Sequence, residues 1–489
     1  MKRIISISLA VLTILVSVLG YNMTGVSAYA SVEIAVDERV SVDGREAQTV
    51  RGIDISYDHN TYMSVRDVAN LLSGTGKNID VSIRDGEVYI TKGADYAPVG
   101  EEALNQPWNE GDKALLARHT LKNDIVNVND KETRYFAMVV KYADGRTDAY
   151  MMLMDLCMIL DMDLSVDTNG VNQITTTDEI NVNPARLERE GYFEGVNSVL
   201  VGDATTGDIF YEFRGSNDYP IASTTKLVTY AVLMDAVRAG EISLDDTVRI
   251  SSNAAKLSNN DDKVISLSEG QTTTLREILY AMLLCSSNEC ALAAAEHLCG
   301  TESEFVGRME DLMFSIGATT ASFNNCNGLP VYSDTQVPSK MNNRMSAEDM
   351  FKLSAYILKN YPEVSEIATT RKYTLQSLTH QQIKNTNALL YNMDNVTGLK
   401  TGTTNKAGCC LVTSLKASKD SVDHDLVVVL FGAESTQDRF RVSELLGIYA
   451  EDVLRGRADT FAGDVTEPEK DTHPKTAEGI VEMVVNSVR

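Results

Sequence analysis

The sequence predicts an α+β protein: a helix-rich region enclosed by early and late antiparallel strands, preceded by two small β-rich repeats. Three observations carry this reading. Between residues 33 and 178 one pattern is stated twice, and each copy ends on an Asp-Gly or Asn-Gly hairpin signal. From residue 197 onward a strand pair, several apolar runs of 3.6-residue period and a second strand pair follow one another. Strands and helices come in blocks rather than in strict alternation, which favours α+β over a parallel α/β sheet.

Taken in order, residues 1–30 read as a secretory signal. Lys2-Arg3 form the charged start, residues 4–19 the apolar stretch, and Ala28-Tyr29-Ala30 a small-x-small cleavage site. A retained membrane anchor is the alternative, although the apolar stretch is short for a spanning helix. The expected location is exported, in the wall or on the outer face of the membrane.

Residues 31–95 form the first repeat and residues 112–180 the second. Val42-Asp43-Gly44, Tyr62 to Leu72 and Asp85-Gly86 in the first copy are matched by Val128-Asn129-Asp130, Tyr150 to Leu160 and Asn169-Gly170 in the second. Each copy reads strand, strand, short helix, hairpin, with Asp67 and Asp155 at equal offsets from Tyr62 and Tyr150. The stretch 94–116 carries Pro98, Gly100, Pro107 and Gly111 and reads as a linker.

A second boundary falls at Asn183-Pro184, and residues 187–457 read as a separate domain able to fold alone. Within it, Thr206-Gly207-Asp208 joins two strands. Residues 227–239 read as an amphipathic helix stopped by Gly240, and 411–415 with 426–431 form a late hairpin. Residues 458–489 are polar and acidic and read as a mobile tail.

The 489 residues carry a formal net charge of −25 without any basic cluster. That excludes nucleic acid as a partner, because phosphate neutralisation needs gathered Lys and Arg. The six histidines are scattered, with no His-x₃-His pair and no His-Glu-x-x-His, so a zinc peptidase is not expected and no metal or other cofactor is called for. Seven cysteines leave at least one unpaired. Their apolar surroundings favour small buried residues over redox devices, and adjacent Cys409 and Cys410 should point to opposite faces of a strand.

The chemistry is concentrated in three short motifs. Ser223 and Lys226, in Ser223-Thr224-Thr225-Lys226, stand three residues apart at the start of a helix. They therefore share a face, and the amine can take the hydroxyl proton without a histidine. Alone, the pattern reads equally as an N-cap serine with a solvated lysine. Ser286-Ser287-Asn288 lies between two apolar helical runs, and Lys400-Thr401-Gly402-Thr403 heads a strand. No other Ser-x-x-Lys and no other Lys-Thr-Gly occurs. To act as a base Lys226 must be neutral, which a buried site beside the cationic Lys400 would promote by like-charge repulsion.

The ordered triple resembles that of penicillin-binding proteins and class A β-lactamases. Residues 190–457 are most similar to serine-type D-Ala-D-Ala carboxypeptidases, the low-molecular-mass penicillin-binding proteins. The likeness extends to Asp203-Ala204-Thr205-Thr206-Gly207, the run from Phe323 through Asn327-Gly328-Leu329, and Asn385-Thr386-Asn387. It implies a penicillin-binding/β-lactamase-like catalytic domain that hydrolyses stem peptides ending in D-Ala-D-Ala and is acylated by β-lactam antibiotics.

In that family's terms Ser223 is the nucleophile and Lys226 the base, with an oxyanion hole at the N–H groups of Ser223 and Thr403. Ser286 and Asn288 relay protons and orient the substrate amide. Lys400, Thr401, Gly402 and Thr403 line the carboxylate site, with Arg439 helping there and Arg441 as the near alternative. Two departures stand out: cysteines at 409 and 410, and Asn343-Arg344-Met345-Ser346 where the family has a histidine-containing pattern. The repeats resemble the small β-rich module named after the N-terminal domain of copper amine oxidases, without a copper site, and offer a contact to wall polymer or protein through residues 31–180.

A class A β-lactamase would need a deacylating glutamate, but residues 312–347 hold no glutamate and a single acid, Asp334. Slow deacylation is therefore expected. A D,D-endopeptidase that cuts cross-links would use the same machinery, and a catalytically weak wall-binding protein is the remaining alternative.

Overall fold

The computed structural model describes residues 33–55, 60–98, 104–108, 120–142, 145–257, 265–332 and 340–461. The signal segment and Asp334 lie outside them. The first repeat contains β1 (Glu33–Val42), β2 (Gln48–Ile55), β3 (Thr61–Ser64), the helix Val65–Leu72, β4 (Ile79–Arg84) and β5 (Glu87–Lys92). The second contains β6 (Thr120–Asn123), β7 (Val126–Val128), β8 (Lys131–Thr133), β9 (Ala137–Lys141), β10 (Thr147–Met152), the helix Leu153–Leu160, β11 (Asp163–Val166) and β12 (Asn172–Thr175). Asp85 and Gly86 both take positive φ, +51° and +85°, as a type I′ hairpin turn requires.

The two repeats are not separate units. Hairpin β11–β12 of the second copy joins the first through a parallel pairing of β12 with β1, and hairpin β4–β5 joins the second through a parallel pairing of β5 with β7. At the centre β3 and β10 run antiparallel with Met63 opposite Met151, so a pseudo-two-fold axis passes between them. The result is one eight-stranded sheet, ordered β11-β12-β1-β2-β3-β10-β9-β6, and one four-stranded sheet, β4-β5-β7-β8. A unit this small buries too little apolar surface alone, and exchanging hairpins lets each copy complete the other's sheet.

The expected linker is likewise packed where it is described. Trp108 is buried, donates its indole N–H to the Gly52 carbonyl at 2.9 Å and stacks on Tyr150.

The region that follows the repeats is built on a five-stranded antiparallel sheet, ordered Asp208–Phe213, Ser198–Asp203, Val422–Ala433, Gly408–Lys419, Val396–Thr404. Along Val422–Ala433 alternate residues serve different cores: Leu426, Val428 and Leu430 join one, Val427, Val429 and Phe431 the other. The period of two with both faces buried explains the near-continuous apolar run there. Cys409 and Cys410 follow the same rule, one in each core, and all seven cysteines are free thiols.

The second core is the helical lobe around Lys226–Ala239. That helix is not amphipathic as expected: every residue from Lys226 to Met234 is buried, because it runs between the sheet and the surrounding helices. It does end on Gly240, at φ +75°.

The first core also corrects the boundary at Asn183-Pro184. It runs unbroken from Val40, Val68 and Leu156 in the repeats through Leu187 and Phe193 to the outer sheet face and the helix Thr436–Leu454. Asn183 caps the helix Pro184–Arg189 and Leu187 is fully buried, so this segment is a joint and not a free tether. Residues 458–461 are not tail: Phe461 N–H donates to the Phe210 carbonyl at 2.7 Å.

Candidate active site

Ser223 lies in the 3₁₀ turn Ala222–Thr225, immediately before the buried helix Lys226–Ala239. The turn is strained and wedged. Ala222 takes φ +48°, a left-handed conformation unusual for a residue with a Cβ. Two glycines allow neighbouring backbones to close on it. A Cβ at Gly328, itself at φ +88°, would stand 2.0 Å from the Ala222 carbonyl oxygen, and one at Gly402 would stand 3.0 Å from the backbone N of both Ser223 and Thr224.

Lys226 is fully buried, which rules out the solvated-lysine reading. Its Nζ lies 2.9 Å from Ser223 Oγ, 2.7 Å from Asn288 Oδ1 and 2.7 Å from the Asn327 carbonyl oxygen. A neutral amine has two N–H bonds and one lone pair. The two carbonyl-type oxygens accept the N–H bonds, which leaves the lone pair for the Ser223 hydroxyl proton. Burial pushes Lys226 down to about 7. Of the expected buried site and repulsion from Lys400, burial is what depresses Lys226, while the repulsion between the two amines lowers Lys400, itself lowered first by burial.

Asn288 opens the helix Asn288–Cys299, whose N-cap is Ser287. Ser286 precedes it at φ +64°, half-buried, on the tight connection from the helix Leu275–Leu284. Glu289, unremarked in the sequence, is fully buried and braces this turn by accepting from Ser287 Oγ at 2.9 Å and from the Ile265 N–H at 3.0 Å. A buried carboxylate next to a motif has no sequence signature distinct from a surface one.

The strand Val396–Thr404 forms the opposite wall at the sheet edge. Thr401 Oγ1 meets Thr386 Oγ1 at 2.6 Å, and the Thr386 N–H donates to the Leu284 carbonyl, which ties this strand to the Ser286 turn. Lys400 is buried, with its Nζ donating to the Thr401 carbonyl at 2.9 Å. Arg439 is buried too, and its Nη1 donates to Thr403 Oγ1 at 3.0 Å and to the Gly402 carbonyl at 3.3 Å. Among the described residues no carboxylate pairs with either cation, and Arg439 Nε has no acceptor. Two buried basic side chains without a carboxylate partner of their own, beside one strand edge, are suited to pairing with an anion.

Arg441, the alternative to Arg439, points elsewhere and pairs with Asp155 of the second repeat at 2.7 Å. The loop carrying Asn327 was legible only as a familiar run, because its contribution is a backbone carbonyl. Asn325 shapes it by accepting from the Asn327 and Gly328 N–H groups, and Asn343 Nδ2 fastens it by donating to the Asn325 carbonyl at 2.9 Å. The unusual Asn343 to Ser346 segment thus supports the loop: Arg344 pairs with Asp218, and Ser346 caps the helix Ala347–Asn360.

Residues 194–435 match the model of the D-alanyl-D-alanine carboxypeptidase family. Over 248 residues the chain is 30% identical to the D-alanyl-D-alanine carboxypeptidase DacF of Bacillus subtilis, covering 50% of this chain and 59% of that one. To DacC of Escherichia coli it is 28% identical over 251 residues, again 50% and 59% of the two chains. The chain thus spans somewhat over half the length of these curated relatives. Among solved structures it is similar to a peptidoglycan synthesis regulatory factor (PBP3) from Streptococcus pneumoniae, at 28% identity and TM-score 0.48, over 53% of this chain and 74% of that one. It is through residues 194–435, where Ser223, a buried lysine and the strand carrying Lys400 come together, that this chain matches the family of serine D-alanyl-D-alanine carboxypeptidases.

Proposed function

We propose that this protein is an exported serine D,D-carboxypeptidase that removes the terminal D-Ala from peptidoglycan stem peptides through an acyl-enzyme on Ser223. The observation that carries it is the arrangement around Lys226 Nζ, whose two N–H bonds have acceptors while its lone pair faces Ser223 Oγ. Lys226 takes the hydroxyl proton as Oγ attacks the carbonyl between the last two residues of the peptide. The N–H groups of Ser223 and Thr403 hold the oxyanion. The leaving amine of D-Ala receives its proton from Lys226 by way of Ser286, Asn288 orients the substrate amide, and water then hydrolyses the ester with the same base. Lys400, Thr401, Thr403 and Arg439 receive the terminal carboxylate, in keeping with two buried basic side chains that have no carboxylate partner among the described residues. Export rests on the charged start, apolar stretch and Ala-x-Ala site of residues 1–30.

The test is mass spectrometry of muropeptides incubated with the purified protein, beside intact-mass measurement after exposure to a penicillin. Loss of one alanine together with a penicillin adduct on Ser223 lasting minutes is the expected result. Cleavage of cross-linked dimers without alanine loss would make the protein an endopeptidase, and the absence of both reactions would sink the enzymatic reading.

A further inference from the structure

Arg439 sits in the first turn of the helix Thr436–Leu454, and that turn is held on both sides of it from outside the catalytic region. Residues two apart on a helix point about 200° apart, so one turn can offer Arg439 to the motif strand and Arg441 to the repeats. Arg441 is bidentate to Asp155 of the second repeat, Nε to Oδ1 at 2.7 Å and Nη2 to Oδ2 at 3.3 Å, with both side chains 4% exposed. Its remaining Nη1 donates to Asp438 Oδ1 at 2.8 Å. Asp438 also accepts from Asn60 of the first repeat at 3.3 Å and from the capping Ser435 hydroxyl at 2.6 Å.

The repeats differ at this position in an informative way. Asp67, the counterpart of Asp155, is bidentate to Arg51 of its own repeat at 3.0 Å. Counting along the registers β2–β3 and β9–β10, the place of Arg51 falls on Phe136 in the second copy. Asp155 has therefore lost its internal partner and takes one from the catalytic helix instead.

We propose that Asp155 is a positioning residue for the carboxypeptidase reaction: by clamping Arg441 it sets the turn that aims Arg439 at Thr403, so the repeats tune how the substrate's terminal carboxylate is held. This rests on Arg439 being a carboxylate contact, as proposed above.

The experiment compares the full-length protein with Asp155→Asn and Tyr135→Phe on two peptides, one ending in D-Ala-D-Ala with a free carboxylate and the same peptide as its C-terminal amide. Tyr135→Phe is the control, because the Tyr135 hydroxyl donates to Glu444 further along the same helix. The unaltered protein favours the carboxylate. Asp155→Asn reduces that preference about tenfold, the scale of one misaligned charge-assisted hydrogen bond, through a raised KM with kcat changed less. Tyr135→Phe keeps it.

An unchanged preference in Asp155→Asn, or an equal loss in Tyr135→Phe, overturns the proposal. An unaltered protein without any carboxylate preference overturns the Arg439 reading, and this inference with it; that failure is distinguished by appearing before any substitution. If circular dichroism shows Asp155→Asn unfolded, Asp155→Glu keeps a carboxylate beside the buried arginine, displaced by one methylene, and is judged by the same criteria.

Discussion

In the proposed reaction Lys226 is the base, because the oxygens around its amine leave its lone pair facing Ser223 Oγ. Lys226→Ala should slow acylation by penicillin by about 10²–10⁴-fold, the contribution of a positioned general base. It should also lower the melting temperature: the side chain is fully buried, and its loss removes a hydrogen bond to the buried Asn327 carbonyl, at about 1–3 kcal/mol if that group is left unsatisfied. Stopped-flow acylation beside a thermal melt checks both, and acylation at the parent rate would remove Lys226 from the mechanism.

The pH profile follows from burial. With Lys226 pushed down to about 7, acylation should rise with pH through neutrality and level off above it. A rate constant flat from about pH 5.5 to about 8.5 would contradict a lysine base. Stability responds in the same sense. Between about 7 and the ordinary lysine value of 10.5 the unfolded chain holds a proton that the folded chain lacks, so this group's contribution grows as pH rises through that window.

At the scale of elements, the site is a turn clamped between a loop and a strand edge. Gly328 and Gly402 make the clamp possible, and they differ in tolerance. A Cβ at Gly328 would collide with the Ala222 carbonyl at 2.0 Å and meet an unfavourable φ of +88°, whereas at Gly402 the nearest atoms are at 3.0 Å. Gly328→Ala should therefore displace both the nucleophile and the Asn327 carbonyl and abolish acylation. Gly402→Ala should slow acylation while the fold persists. Acylation rates of the two variants, with circular dichroism as the check on folding, decide the order; equal effects would mean that the approach of the 328 loop does not shape the nucleophile turn.

For the whole molecule, the repeats and the catalytic region share one core, with a buried Asp155–Arg441 pair and a buried Tyr135–Glu444 hydrogen bond across their boundary. The expectation that residues 187–457 fold alone gives way to bracing by the repeats. A truncation to those residues should be poorly soluble or melt at a much lower temperature, and its rate on a short D-Ala-D-Ala peptide should collapse, because apolar surface of the first core and the helix carrying Arg439 lose their cover. A truncated protein with the parent's melting temperature and peptide rate would show that the shared core is dispensable.

Three motifs in order, a repeated strand–helix–hairpin pattern and two strand pairs around helices were enough to read the α+β class and to nominate Ser223, Lys226, Asn288, Lys400 and Arg439, because side-chain chemistry and local periodicity are written residue by residue. What the sequence could not decide depends on which segments meet across long separations. Hairpin exchange was hidden because a hairpin signal specifies its own turn and not the strand its outer edge will pair with. The choice of Arg439 over Arg441 needed the helix placed between the motif strand and Asp155, since two arginines two residues apart differ only in the direction they face. The Asn327 carbonyl, which completes the coordination of the base, belongs to the backbone that every residue shares, and only folding singles it out.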